Sequence, residues 1–430
     1  MHPSILDVYG HINASRPHLD YSRLIAAMAS THVSAPPLAQ FKVVEFAGIG
    51  PGPMVGMILA DFGANVIRVD RPSLSTPDVF NRGKRCITLN AKVPSARDVL
   101  RRLIERADIL IDPSRPGFME SVDLGPNVFL GDPITGKEGR NRRLIYARLA
   151  GFSRTGPHKN MAGHDLSYLA LSGVLSLFPG EKKPTFPLNI LGSFAGGSVV
   201  CALGILLALV ERQQSGLGQV SGTRYISTFP ILHSLYPTSA RVFTGPRGTN
   251  MLDGGAPFYD TYTCADGLWM SVACVEPHFF RAFLDCFCAA LPGFTLDGWR
   301  PTYETPEDHS SWPRLREFMD RGFKMHSRDY WTRVFHGTDA CALPVLSVTE
   351  AAASVSGSTS SSAESMSPVP APHPELARTP SVPINGITSA DSFNMRGQHT
   401  DEVLSELGLT KEEKIQLLHD GALGKRTARL

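Results

Sequence analysis

Between Val43 and Asp70 the chain reads VVEF, then GIGPGP, a turn crowded with glycine and proline, then the apolar-periodic MVGMILADFG, and then NVIRVD. Two β-branched runs bracketing one segment of helical period give strand, turn, helix, strand, the repeating unit of a parallel α/β sheet. The runs CITLN, ADILID and LIYARL continue the same sheet. The α/β class is therefore expected, with a large parallel-sheet domain over residues 39–225. From Gly254 the texture changes: FYDTYTCADGLWMSVAC alternates and turns at Ala265, Asp266 and Gly267, which predicts an antiparallel hairpin. Residues 226–345 are thus expected to form a smaller α+β domain, with one helix after Pro277 and another around Arg328 to Phe335. Residues 346–383 are rich in Ser, Ala and Pro and predict a flexible connection. Residues 384–430 carry a last helix-like segment, Thr400 to Leu418, and residues 1–38 read as an extension that precedes the fold.

Bulk composition narrows the function classes. A net charge of +2 on 430 residues, with 42% hydrophobic and 19% charged, suits a soluble globular enzyme and provides no field that would favour nucleic acid or a membrane surface. The seven cysteines, from Cys86 to Cys341, are scattered, odd in number and without CxxC spacing, which predicts reduced thiols and no metal site. The apolar segment Val199 to Val210 is shorter than a bilayer span and runs into Glu211 and Arg212, so it is expected to be a buried core helix. The chain closes on Ala428, Arg429 and Leu430, a small-basic-leucine tripeptide of the kind read by the peroxisomal import receptor. A peroxisomal location is expected if that signal is used, and a cytoplasmic one otherwise.

Two stretches carry side chains suited to chemistry. Arg68, Arg71, Arg82 and Arg85, with Lys84 among them, cluster around two strand ends, and Arg115 follows the next strand. Guanidinium groups there can clamp phosphates bidentately and stack on a purine; the alternative is a solvated basic edge. The GIGPGP turn is neither a P-loop nor a dinucleotide fingerprint, since the helix after it lacks the third glycine. In AGHDLSYLALSGVL, Gly163, His164 and Asp165 stand at the head of an apolar helix, where backbone N–H groups and the helix dipole favour a thioester oxygen becoming anionic. His164 is the candidate general base, since histidine is the side-chain type most often used to move protons in catalysis.

These blocks, together with NRGKRCITLN, SRPGFMESVDLGP, LIYARLAGF, FAGG, PRGTNMLDGGAPFYDTY, VEPHFF and GTDACALPVL in that order, resemble the family III CoA-transferase and α-methylacyl-CoA racemase superfamily, most closely its racemase branch. The resemblance implies a large Rossmann-like domain and a smaller one, with residues 384–430 returning to the large domain. It also implies an interlocked homodimer in which each site is shared between the large domain of one subunit and the small domain of the other. Coenzyme A would enter as part of the substrate, an acyl-CoA thioester held by Arg68, Arg71, Arg82, Arg85 and Arg115, with no permanently bound cofactor. Glu276 would be the carboxylate partner of His164. Asp165 would either touch the pantetheine arm or set the turn, and Tyr259 and Asn250 would either line the shared site or shape their glycine-rich hairpin.

Racemisation at the α-carbon needs a proton-transfer group on each face, and the racemases use a His and an Asp. In the family pattern that Asp lies four residues after an Asn and just before FAGG; here Asn189 is kept and Ser193 fills the Asp position. The carboxylate that serves the transferase branch as nucleophile would be missing for the same reason. An isomerase of the acyl-CoA racemase or epimerase type, working through an enolate with one base altered, is therefore expected. The rival readings are one-face isomerisation, elimination or cyclisation in specialised metabolism, and a CoA-ester-binding protein without turnover.

Overall fold

The computed structural model describes residues 35–48, 50–72, 79–180, 182–225, 245–351, 372–382 and 396–424. Most of the N-terminal extension, most of the Ser/Ala/Pro-rich connection and the terminal tripeptide lie outside the described residues. The fold is of mixed α/β class. Contacts divide the chain into two units, and the smaller takes Gly173–Phe186 as well as the stretch that contains the hairpin. The segment 173–186 thus leaves the domain that the sequence pattern assigns it to.

The larger unit is built on six strands: β1 (Lys42–Phe46), β2 (Asn65–Asp70), β3 (Lys84–Thr88), β4 (Ile109–Asp112), β5 (Ile145–Ala150) and β6 (Gln219–Arg224). Their spatial order is β3-β2-β1-β4-β5-β6, and every pairing is parallel. The order reverses between β1 and β4, and in such sheets ligands bind beyond the carboxyl ends of the strands at that switch. Because both faces are covered, the strands are near-continuous apolar runs whose alternate residues enter two different cores. Val43, Val66, Ile109 and Ile111 pack on one face with α1 (Pro51–Asp61). Val44, Ile67 and Leu110 pack on the other with α2 (Pro94–Glu105).

The segment after β5 carries the helix α3 (Asp165–Ser172) and then a π-helix, Leu191–Val199, which runs without a break into α4 (Val200–Ser215). The combined 25-residue helix is long and apolar enough, by length and composition, to cross a membrane. This corrects the shorter span read from Val199 to Val210. The helix buries Cys201, Ile205 and Leu209 among the sheet residues Ile111, Ile145 and Ala147.

The smaller unit has an antiparallel sheet, β7 (Tyr259–Thr263), β8 (Trp269–Ala273) and β9 (Ala342–Pro344), in that spatial order. Gly267, at φ 78°, makes the turn between β7 and β8. Helices α5 (Pro277–Ala290), α6 (Trp312–Phe323) and α7 (Arg328–Phe335) cover it around an aromatic core in which Trp331 stacks on Phe287 at 4.9 Å.

The last part of the chain docks on the larger unit as α8 (Thr400–Glu406) and α9 (Lys411–His419), separated by a turn in which Gly408 takes φ 82°. It seals the outer edge of β3. The Cys86 N–H donates to His399 Nδ1 at 3.0 Å, the Thr88 N–H to Thr400 Oγ1 at 3.1 Å, and the Asn90 N–H to the Ala422 carbonyl at 2.8 Å. An edge strand covered in this way offers fewer open hydrogen-bonding groups to a second sheet.

Candidate active site

The cationic cluster separates into two populations. Arg68 is buried: its Nε donates to Asp70 at 2.9 Å and its Nη1 to Asn81 at 2.9 Å, with Glu45 at 3.9 Å. Lys84 donates to Glu45 at 2.6 Å, both side chains wholly out of solvent. Burial pushes the Glu45 carboxyl up and the Lys84 ammonium down, and their contact is what offsets that penalty. Gly56 on α1 makes room for the pair, since a Cβ there would lie 1.7 Å from Glu45 Oε2. Arg82 is buried too and grips both oxygens of Asp61, at 2.8 and 2.7 Å. Arg85 bridges Glu402 and Glu406 on α8.

These positions correct the expectation of a five-arginine phosphate clamp. Arg68 and Arg82 are structural ion pairs, because a guanidinium buried in the fold and held by a carboxylate there is not presented to a phosphate arriving from solvent. Arg85 ties down the C-terminal segment. Among the described residues, Arg71 and Arg115 are exposed and free of ion pairs.

Arg71 belongs to a cavity of about 1110 Å³ beyond the carboxyl ends of β1, β2 and β3. Phe46, Val69, Leu89 and Phe118 give it apolar walls, and the Arg71 guanidinium lies over the Phe118 ring at 5.4 Å. Lys92 follows β3, and α9 supplies Lys411, Ile415, Leu418 and His419 from one face. Among the described residues, no carboxylate lines the cavity. Sequence reasoning missed Lys92, Lys411 and His419. Lys92 stood in view just after CITLN, but nothing local to α9 links it to that strand.

His164 stands directly before α3, where its carbonyl accepts the Ser167 N–H at 2.8 Å and the Tyr168 N–H at 3.2 Å, and the residue is exposed. As at any helix start, the first N–H groups, those of Asp165 and Leu166, have no acceptor within the helix. Asp165 by contrast is buried. One of its oxygens accepts the backbone N–H of Ser193, and the other, Oδ2, has no hydrogen-bond partner among the described residues. Gly192 permits this approach, since a Cβ there would come within 2.8 Å of Asp165 Oδ1.

Asp165 therefore ties the head of α3 to the head of the π-helix. Ser193 is buried at this junction, and the exposed Asn189 lies in the turn before it. The Ala195 N–H reaches back five residues to the Ile190 carbonyl at 3.0 Å, a π-type bond of a kind that recurs at functional sites. The Gly163 carbonyl accepts the hydroxyl of Tyr168, whose phenol is pushed up by burial and then by the Asp165 carboxylate.

Glu276 and Tyr259 belong to the smaller unit and His164 to the larger. Glu276 is half-buried at the start of α5, with its carbonyl accepting the Phe280 N–H at 3.0 Å. Tyr259 opens β7 and is exposed. The Asn250 side chain bonds within its own glycine-rich turn, to the Gly245 N–H at 2.7 Å, the Pro246 carbonyl at 3.0 Å and Asp253 at 2.6 Å. No group of three His, Cys, Asp or Glu among the described residues could hold a metal ion.

A model of CoA-transferase family III matches residues 38–388, across both units. The chain belongs to that family. Within it the chain stands with the racemases: it is 43% identical over 391 residues to the alpha-methylacyl-CoA racemase of Mus musculus, covering 88% of this chain and 95% of that protein. The human alpha-methylacyl-CoA racemase is 41% identical over 398 residues, covering 89% and 96%. Among solved structures, a CaiB/BaiF family protein from Brucella suis superimposes with a TM-score of 0.62 at 21% identity, over 87% of this chain and 100% of that one. A likeness at that identity carries the fold alone.

Proposed function

We propose that the protein is an isomerase of the acyl-CoA racemase or epimerase type, acting at the α-carbon of a 2-substituted acyl-CoA thioester through an enolate. The observation that carries this reading is the α3 junction: an exposed His164 next to helix-head N–H groups that have no acceptor within the helix, braced by the buried Asp165 to Ser193 contact. The racemase relatives agree with it. His164 takes the α-proton, the helix-head N–H groups receive the thioester oxygen as it gains charge, and Glu276 steadies the imidazolium. The nucleotide of coenzyme A lies in the cation-lined cavity, with Arg71 and Lys92 on its phosphates. Arg115 faces the thioester arm, while Asp165 acts by setting the turn.

In this reading, as the family resemblance implies, an interlocked homodimer completes the site, with His164 from the larger unit of one subunit and Glu276 from the smaller unit of the other. An apolar stripe on the long helix supports it: Val199, Leu203, Leu207 and Val210 fall on one face and are each more than half exposed, at 51, 54, 61 and 56%. The terminal Ala428-Arg429-Leu430 supports delivery to peroxisomes.

Ser193 is where the second base stands in the family pattern, and a hydroxyl is a much weaker base than a carboxylate. It therefore favours a second reading, chemistry confined to one face of the α-carbon. One experiment separates the two. With a 2-methylacyl-CoA in deuterium oxide, the wild type exchanges the α-proton faster than it inverts the centre. Ser193→Asp raises inversion more than exchange, and His164→Ala lowers both by about 100-fold or more. Inversion as fast as exchange, unchanged by Ser193→Asp, would mean another group serves the second face. Absence of exchange with any 2-substituted acyl-CoA would rule out proton transfer and leave the one-face or non-catalytic roles.

A further inference from the structure

The cavity beyond β1, β2 and β3 has one wall that comes from the far end of the chain. Lys411, Ile415, Leu418 and His419 share a face of α9, so the two apolar residues continue the hydrophobic lining while the Lys411 ammonium and the His419 imidazole flank it. The placement of Lys411 serves no evident purpose in folding. It is the first residue of the helix, where the dipole disfavours a positive charge, and it makes no ion pair among the described residues. One turn on, Lys414 is committed to Asp401 at 2.6 Å. A capping box between Thr410 and Glu413 fixes the start of the helix, and the bonds from Cys86, Thr88 and Asn90 fix the segment to the edge of β3. The backbone that carries Lys411 is therefore fixed beside a cavity where, among the described residues, no carboxylate neutralises it.

We propose that Lys411 and His419 complete the phosphate-binding half of this cavity, so that the C-terminal segment is an integral part of nucleotide recognition and not a passive cover for the sheet edge. The proposal rests on the reading that the cavity holds the nucleotide of coenzyme A. Three cationic side chains, Arg71 and Lys92 from the strand ends and Lys411 from α9, line one partly apolar volume of about 1110 Å³ together with the His419 imidazole, an N–H donor. The ligand class is an adenine nucleotide carrying more than one phosphate.

The test is equilibrium binding of adenosine 3′,5′-bisphosphate, the nucleotide half of coenzyme A, to the full chain at fixed salt. The double variant Lys411→Gln with His419→Gln should bind at least about tenfold more weakly, with a shallower dependence of affinity on salt, and Lys411→Arg should retain wild-type affinity. Lys92→Ala reports on the cavity itself. If Lys92→Ala weakens binding and the double variant does not, the role of α9 is overturned while the cavity remains the nucleotide site. If wild type and both variants bind equally well, or none binds, the nucleotide lies elsewhere and both readings fall. Melting temperatures matching wild type in every variant separate these outcomes from loss of fold.

Discussion

Arg68 and Arg71 lie three residues apart at the end of one strand, yet they inhabit opposite environments. Arg68 sits inside the sheet layer among Glu45, Asp70 and Asn81, with 2% of its surface exposed. Arg71 is just past the strand end, over Phe118, with no carboxylate paired to it among the described residues. The parallel sheet explains the contrast: within the strands a cation is enclosed and must be paired, and beyond their carboxyl ends it can remain open to a ligand. Pairing decides which cations are available for function, and crowding of positive charge in the sequence does not.

The largest effect that would test this contrast is on stability. Removing Arg68 leaves Asp70 and Glu45 buried with less compensation, and breaking such a pair costs about 3–5 kcal/mol. Arg68→Ala is expected to lower the midpoint of urea unfolding by that equivalent, with coenzyme A affinity unchanged in the fraction that folds. Lys84→Ala, which strands Glu45 in the same way, should behave alike. If either variant keeps wild-type stability and loses coenzyme A, the buried cluster is a binding site and the division drawn between the two regions fails.

The sheet could be read from the sequence because its signal is local: β-branched runs, a glycine and proline turn and an apolar helix repeat within thirty or so residues. The hairpin at Gly267 and the helices after Pro277 and at Arg328 were legible for the same reason. His164 and Asp165 were also visible as a helix head. What stayed hidden depends on distant partners. Nothing around Arg82 announces Asp61, nothing around Arg85 announces Glu402, and nothing in the last helix announces that Lys411 faces the strand end at Lys92. The use of the small residues in the π-helix depends on distant partners as well: Gly192 lets Asp165 approach the continuous helix and Gly197 lets Tyr225 approach it.

An intermediate effect falls on binding. Arg71→Ala removes one unpaired guanidinium from the cavity rim and should weaken coenzyme A by about tenfold, near 1.4 kcal/mol, while the melting temperature stays where it was. Titration calorimetry beside a thermal melt reads both quantities. A drop in melting temperature comparable to that of Arg68→Ala would show that the two arginines do the same structural work, and the comparison would lose its meaning.

The smallest expected effect concerns Arg85, which lies between the two populations. It is partly exposed and is held by Glu402 and Glu406, both about half exposed, so the bridge is worth about 1 kcal/mol or less. Its loss should act locally, because α8 leads into α9, which carries one wall of the cavity. Arg85→Ala is therefore expected to speed hydrogen exchange in residues 400–419 with little change in global unfolding. Coenzyme A affinity should fall only slightly, by less than for Arg71→Ala, since the cations in the cavity are all still present. A loss of affinity as large as that of Arg71→Ala, with exchange in the segment unaltered, would mean that Arg85 reaches the nucleotide directly and that its carboxylate partners give way when ligand arrives.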